Sequence, residues 1–169
     1  MDKRYTIFRY IAYSLEILIL YVLQGTPVLI PEIFGGRPLF LIPVALTIAF
    51  FENEVTAMFF GLACGVLLDV GMGGNLGFYT IIMTLTGFII GNIFRDYMVV
   101  SFINAMAFCS AFSGGIICLY FLLFYIFAGR GEVGYYFVNH YLSRIIYTIA
   151  VSPVFYFLNK SLYKGLRDV

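Results

Sequence analysis

Apolar residues in this chain run on for whole segments, and polar residues collect in the short stretches between them. Such runs predict helices that are hydrophobic on every side, as lipid-embedded segments are. Six are expected: Ile7 to Leu23, Leu39 to Phe51, Val55 to Val70, Phe78 to Phe94, Val99 to Phe127 and Tyr141 to Leu158. The second is 13 residues, about 20 Å of helix against a hydrocarbon core of roughly 30 Å. With Pro43 one turn in, it reads as short or kinked. The fifth has 29 residues, about 43 Å, and should tilt, bend near Ser113-Gly114-Gly115, or project beyond the membrane. The fold class is therefore an all-α integral membrane protein, a six-helix polytopic bundle with residues 1–169 as one transmembrane domain.

Composition supports that class. Of 169 residues, 62% are hydrophobic and 11% charged, and the mean hydropathy is +0.97. A soluble domain lies well below these values. The net charge of +1 spreads no basic surface for nucleic acid, which is not expected as a partner. The positive charges instead set orientation. With both termini cytoplasmic, the inner ends and loops carry Lys3, Arg4, Arg9, Arg95, Lys160, Lys164 and Arg167, and the outer loops only Arg37 and Arg130. Lys3, Arg4 and Arg9 before an apolar run also imitate a signal peptide. Glu16 interrupts that run and no small-x-small motif follows Leu23, so an uncleaved first helix is expected. Tyr135, Tyr136, Phe137, His140 and Tyr141 suit an interfacial aromatic belt, in a chain that has no tryptophan.

Chemistry is sparse. Catalytic and phosphate-binding motifs are absent, the single His140 has no metal-ligand companion, and Cys64, Cys109 and Cys118 fall inside apolar segments. No cofactor, metal or enzymatic activity is expected. Three ionisable residues fall within the membrane segments: Glu16, Asp69 and Arg144. Charge there is costly, which makes each a functional candidate. Asp69 and Arg144 should lie at similar depth near the outer face and pair, directly or through water. Glu16 has no basic residue at its level and should be protonated or hydrogen-bonded, with Ser110, Ser113 and Tyr147 as candidate partners. Small residues form three further candidates: Gly61 and Gly65, Gly87 and Gly91, and Ala107, Ala111 and Gly115, each at four-residue spacing. Such stripes admit a neighbouring backbone, either within the bundle or from another protein.

Gly61 to Gly91 joins two of these stripes through a glycine-rich turn, with Asp69 at its threshold. The order Gly61, Leu62, Gly65, Leu67-Leu68-Asp69, then Leu76-Gly77 and a second apolar helix resembles the signature of the MreD family of rod shape-determining membrane proteins. The resemblance implies a non-enzymatic scaffold of the cell-elongation machinery in the bacterial cytoplasmic membrane. It would bind the membrane helix of MreC and help couple MreB filaments to peptidoglycan synthases. It also implies a likeness in fold to the substrate-binding subunits of energy-coupling-factor transporters. The alternative reading is thus a vitamin-binding membrane subunit, with Asp69, Arg144, His140 and loop tyrosines around an outer pocket. A homo-oligomer remains open under either reading.

Overall fold

The computed structural model describes residues 3–26, 38–72, 77–126, 134 and 141–165. Among them are six α-helices and no strand: α1 (Lys3–Gly25), α2 (Leu41–Phe51), α3 (Glu54–Met72), α4 (Phe78–Asp96), α5 (Phe102–Phe121) and α6 (Ser143–Gly165). All but α2 are long and apolar enough to cross a membrane. α6 extends beyond its apolar run at the end where Lys160 and Lys164 lie, because long basic side chains remain compatible with helix once they clear the lipid. α5 passes through Ser113-Gly114-Gly115 without a break in its helical hydrogen bonding. Its irregularity comes later, in a π-helical turn at Leu122–Ile126. The aromatic cluster at 135–137 and His140 lie outside the described residues.

The short second segment has the most central position. Leu41 to Phe50 are all buried, and α2 touches each of the other five helices. Its all-round apolar character therefore reflects burial in protein on every side, where lipid would have demanded the same composition. At 11 residues it is about 16 Å long and crosses half a bilayer. Pro43 lies in its first turn, where a proline costs no intrahelical hydrogen bond, so the expected kink does not arise.

Contacts at the helix ends define two poles. At one, Arg9 of α1 meets Glu52 in the α2–α3 turn, Glu54 of α3 meets Arg95 of α4, and Phe51 stacks on Tyr163 of α6. At the other lie Thr26, the Asp69–Gly77 hydrogen bond and Tyr141, against which Phe121 packs. The helices thus alternate in direction along the chain. The interior carries much of its surface in rings, with Phe78, Tyr79 and Tyr120 in mutual contact and Phe50 against Phe94. Lipid tails are as apolar as these side chains, so it is close packing rather than removal from water that holds the bundle.

Candidate functional site

The three small-residue faces have separate fates. Gly61 and Gly65 on α3 mate with the Met83 and Tyr79–Thr80 backbone of α4, while Gly87 and Gly91 on α4 mate with the Ala57 and Glu54 backbone of α3. A β-carbon built on Gly65 would sit 2.6 Å from the Thr80 Cα and the Tyr79 carbonyl oxygen, and one on Gly87 would sit 2.6 Å from the Ala57 carbonyl oxygen. A β-carbon on Gly61 would be jammed into the Met83 carbonyl. These four glycines are consumed inside the bundle, in a seam where two backbones touch.

Asp69 closes the end of that seam. Its carboxylate accepts from the backbone N–H of Gly77 (3.0 Å), Tyr79 (3.1 Å) and Thr80 (2.9 Å), and from the Thr80 hydroxyl (2.6 Å). The first turn of a helix leaves N–H groups without intrahelical partners, and lipid offers them no water. Asp69 supplies the missing acceptors from the preceding helix, with its charge at the favourable end of the α4 dipole. Gly77, at φ +100°, enters α4 from the left-handed region that favours glycine. Leu76 lies outside the described residues.

The direct ion pair expected between Asp69 and Arg144 is absent: no salt bridge joins the two among the described residues. Asp69 is buried by its own cap, whereas Arg144 sits 5.8 Å over the Tyr141 ring and lines a cavity of about 420 Å³ with Tyr21, Gln24, Thr26 and Leu39. Asp69 does not line that cavity.

Ala107, Ala111 and Gly115 on α5 find no such partner. All three are exposed, and a β-carbon on Gly115 would meet nothing within 4 Å. Ala111 and Gly115 form part of the wall of an open apolar groove of about 390 Å³ between α4 and α5, whose other side is Ile82, Leu85 and Thr86. Cys118, one turn beyond Gly115, is an exposed free thiol. The spacing in the sequence located this face, and the structure leaves it unfilled.

The polar interior near the Glu52 pole was not legible. Arg9 Nη2 donates to Glu52 Oε2 at 3.1 Å, and Arg9 Nε lies 2.5 Å from Glu52 Oε1 in an ion contact poorly angled for a hydrogen bond. The pair is buried, with the guanidinium 5.0 Å over the Tyr163 ring. In the sequence Arg9 reads as one more orienting charge and Glu52 as a loop acid; 43 positions separate them and no local signal joins them. Glu54 and Arg95, by contrast, pair at the surface at 2.5 Å, and the guanidinium holds the Glu54 carboxyl below the usual carboxylate range. Deeper in, Asn159 of α6 donates to Thr47 Oγ1 of α2 at 2.8 Å, and the carboxyl of Glu16 lies beside the Asn159 amide. Among the described residues, no hydrogen bond joins Glu16 to Ser110, Ser113 or Tyr147.

The model of one protein family, described as rod shape-determining protein MreD, matches residues 4–165. No curated protein and no solved structure matches the chain.

Proposed function

From the premise that this chain belongs to the MreD family of rod shape-determining proteins, we propose that it acts as a non-enzymatic membrane scaffold, receiving the transmembrane helix of MreC in the groove between α4 and α5. A role in rod shape determination comes with the family, whose members are membrane components of the shape-determining machinery. The observation that supports the docking face is the unfilled stripe of Ala107, Ala111 and Gly115. Small residues let a second backbone approach closely, and dispersion across such an approach is a main source of helix association in lipid. On the orientation favoured by the basic residues, the Glu52 pole faces the cytoplasm and MreB, and the Asp69 pole faces the compartment where peptidoglycan is built. The protein would then couple the two through the partner helix it holds.

Cysteine crosslinking tests this in the native host. With the three native cysteines removed, Ala111→Cys and Gly115→Cys should each capture the MreC helix, while Phe59→Cys on the exposed side of α3 should not. Capture of MreC at Phe59→Cys alone would move the docking face to α3. Capture of a second copy at Gly115→Cys, with no MreC, would make the groove a homo-oligomer contact. The cavity beside Arg144 supports the second reading, a ligand-binding subunit of a vitamin transporter. Co-purification of paired ATPases with a coupling subunit would replace the scaffold by that reading. The loss of Asp69 to capping leaves the cavity with one charged side chain among the described residues, which suits a polar vitamin poorly.

A further inference from the structure

Of the arginine side chains described, Arg9 meets Glu52, and Arg95 meets Glu54 and Asp96. Arg144 holds no carboxylate among the described residues. Its Nε is buried without a hydrogen-bond partner, and its guanidinium rests over the Tyr141 ring, a face contact that uses no N–H. Asp69, the acid at the same pole, is occupied by the α4 backbone. A planar fork of N–H donors with no anion opposite is therefore left against a cavity of about 420 Å³. That volume lies within the range of small-ligand sites.

Two other polar groups at the cavity are acceptors. Thr26 Oγ1 donates its one proton to the Val22 carbonyl at 2.8 Å, so toward the cavity it can only accept. Gln24 Oε1 is buried and lacks a hydrogen-bond partner. One cation beside two acceptors suits a group that carries negative charge and O–H donors together. An ammonium donor would satisfy the acceptors but would be set against the guanidinium. The apolar surroundings favour a lipid as the carrier of that group. The candidate span Tyr5–Gly25 has 21 residues, about 31 Å against a hydrocarbon core of roughly 30 Å, which puts Gln24 and Thr26 at headgroup depth. Leu15, Leu18, Ile19 and Val22 form an exposed apolar stripe along α1 at helical spacing, and Val22, 63% exposed, also lines the cavity. The stripe thus runs from mid-membrane to the rim of the cavity.

We propose that this cavity binds the glycerophosphate headgroup of an anionic lipid, phosphatidylglycerol in its simplest form. Arg144 holds the phosphodiester through its planar fork of donors. The glycerol hydroxyls donate to Gln24 Oε1 and Thr26 Oγ1, and the acyl chains follow the α1 stripe. Free glycerol phosphate offers the same polar chemistry, and only the chains separate the two. Bound there, the lipid bridges the end of α1 and the start of α6, helices that touch each other sparsely. None of these residues lines the groove between α4 and α5, so the site does not depend on which helix that groove receives.

Native mass spectrometry of the full chain tests the site, after the protein is stripped of lipid in mild detergent and titrated with phosphatidylglycerol, phosphatidic acid and phosphatidylethanolamine of identical acyl chains. The wild type should hold one phosphatidylglycerol more tightly than either of the others. Arg144→Gln should weaken that binding roughly tenfold or more, the loss of a charge-assisted pair, and leave the unfolding temperature in lipid-free detergent unchanged. Gln24→Leu should bring phosphatidylglycerol down toward phosphatidic acid and leave phosphatidic acid unaltered, because only a glycerol contact is lost. Phosphatidylglycerol binding unmoved by Arg144→Gln would overturn the proposal, as would the absence of any preference over phosphatidylethanolamine. Free glycerol phosphate at the lipid's own concentration should leave the lipid bound. Displacement at that concentration would overturn the lipid assignment and give the site to a water-soluble phosphate. If Arg144→Gln fails to fold, the loss or persistence of selectivity in Gln24→Leu decides alone.

Discussion

The seam between α3 and α4 and the outer face of α5 are both written in small residues at the same four-position spacing, and only one of them is closed. In the seam, the glycines of each helix meet the backbone of the other, and Asp69 seals the far end. On α5, Ala107, Ala111 and Gly115 face outward and Gly115 has nothing beside it. The difference lies in packing and not in connectivity, since five residues join each pair of helices: α3 and α4 lie against each other over most of their length, whereas α4 and α5 meet only sparsely. Small residues permit close approach, but something else has to supply the second backbone.

The sharpest way to break this contrast is to fill the seam. Gly87→Leu would drive a side chain into the Ala57 carbonyl, which sits in a rigid helix and cannot yield. We expect a loss of about 3 kcal/mol or more, seen as failure to recover folded protein from mild detergent. Near-normal recovery would show that the seam has slack. Asp69→Ala should come close behind, at about 2–3 kcal/mol, because it orphans N–H groups in a site that water cannot readily enter. Asp69→Asn retains one acceptor oxygen and should cost about 1 kcal/mol in thermal unfolding. Combined with Arg144→Gln, its effect should be additive within about 0.5 kcal/mol, since no direct ion pair links the two; a larger coupling energy would restore the pairing expected from sequence.

The open face should respond in the opposite sense. Gly115→Leu should change unfolding by less than about 0.5 kcal/mol and yet reduce capture of the partner helix roughly tenfold, about 1.4 kcal/mol of binding. A destabilised monomer with unchanged capture would mean that α5 packs internally after all. The smallest effect belongs to the surface pair at the other end of the seam. Partnering with Arg95 lowers the Glu54 pKa in the folded state, so its contribution is present above the unfolded carboxylate pKa and disappears as pH falls through the folded one. Glu54→Gln should therefore lower the unfolding midpoint slightly at neutral pH and not at all in strong acid. A gap that persists in acid would show that the side chain acts through packing.

Much of this was legible before folding. All-round apolar runs specify helices in lipid, because an unpaired backbone is intolerable there, and the glycine spacing marks which helix faces admit a neighbour. The motif from Gly61 to Gly77 likewise carried the family, confirmed by a match spanning residues 4–165. Asp69 was visible as a residue that needed a reason, but the reason proved to be local: it caps the helix just past its own turn. What the sequence by itself determined, then, was which segments are helices and which faces are small. What only the tertiary structure decided was who meets whom: α2 at the centre, Asn159 against Thr47, Arg9 with Glu52, and one small-residue face closed while another stays open. A helix fixes the spacing of its side chains through its own backbone, so spacing is readable along the chain. Partners that lie tens of residues away are chosen by the packing of whole helices, which no local pattern encodes.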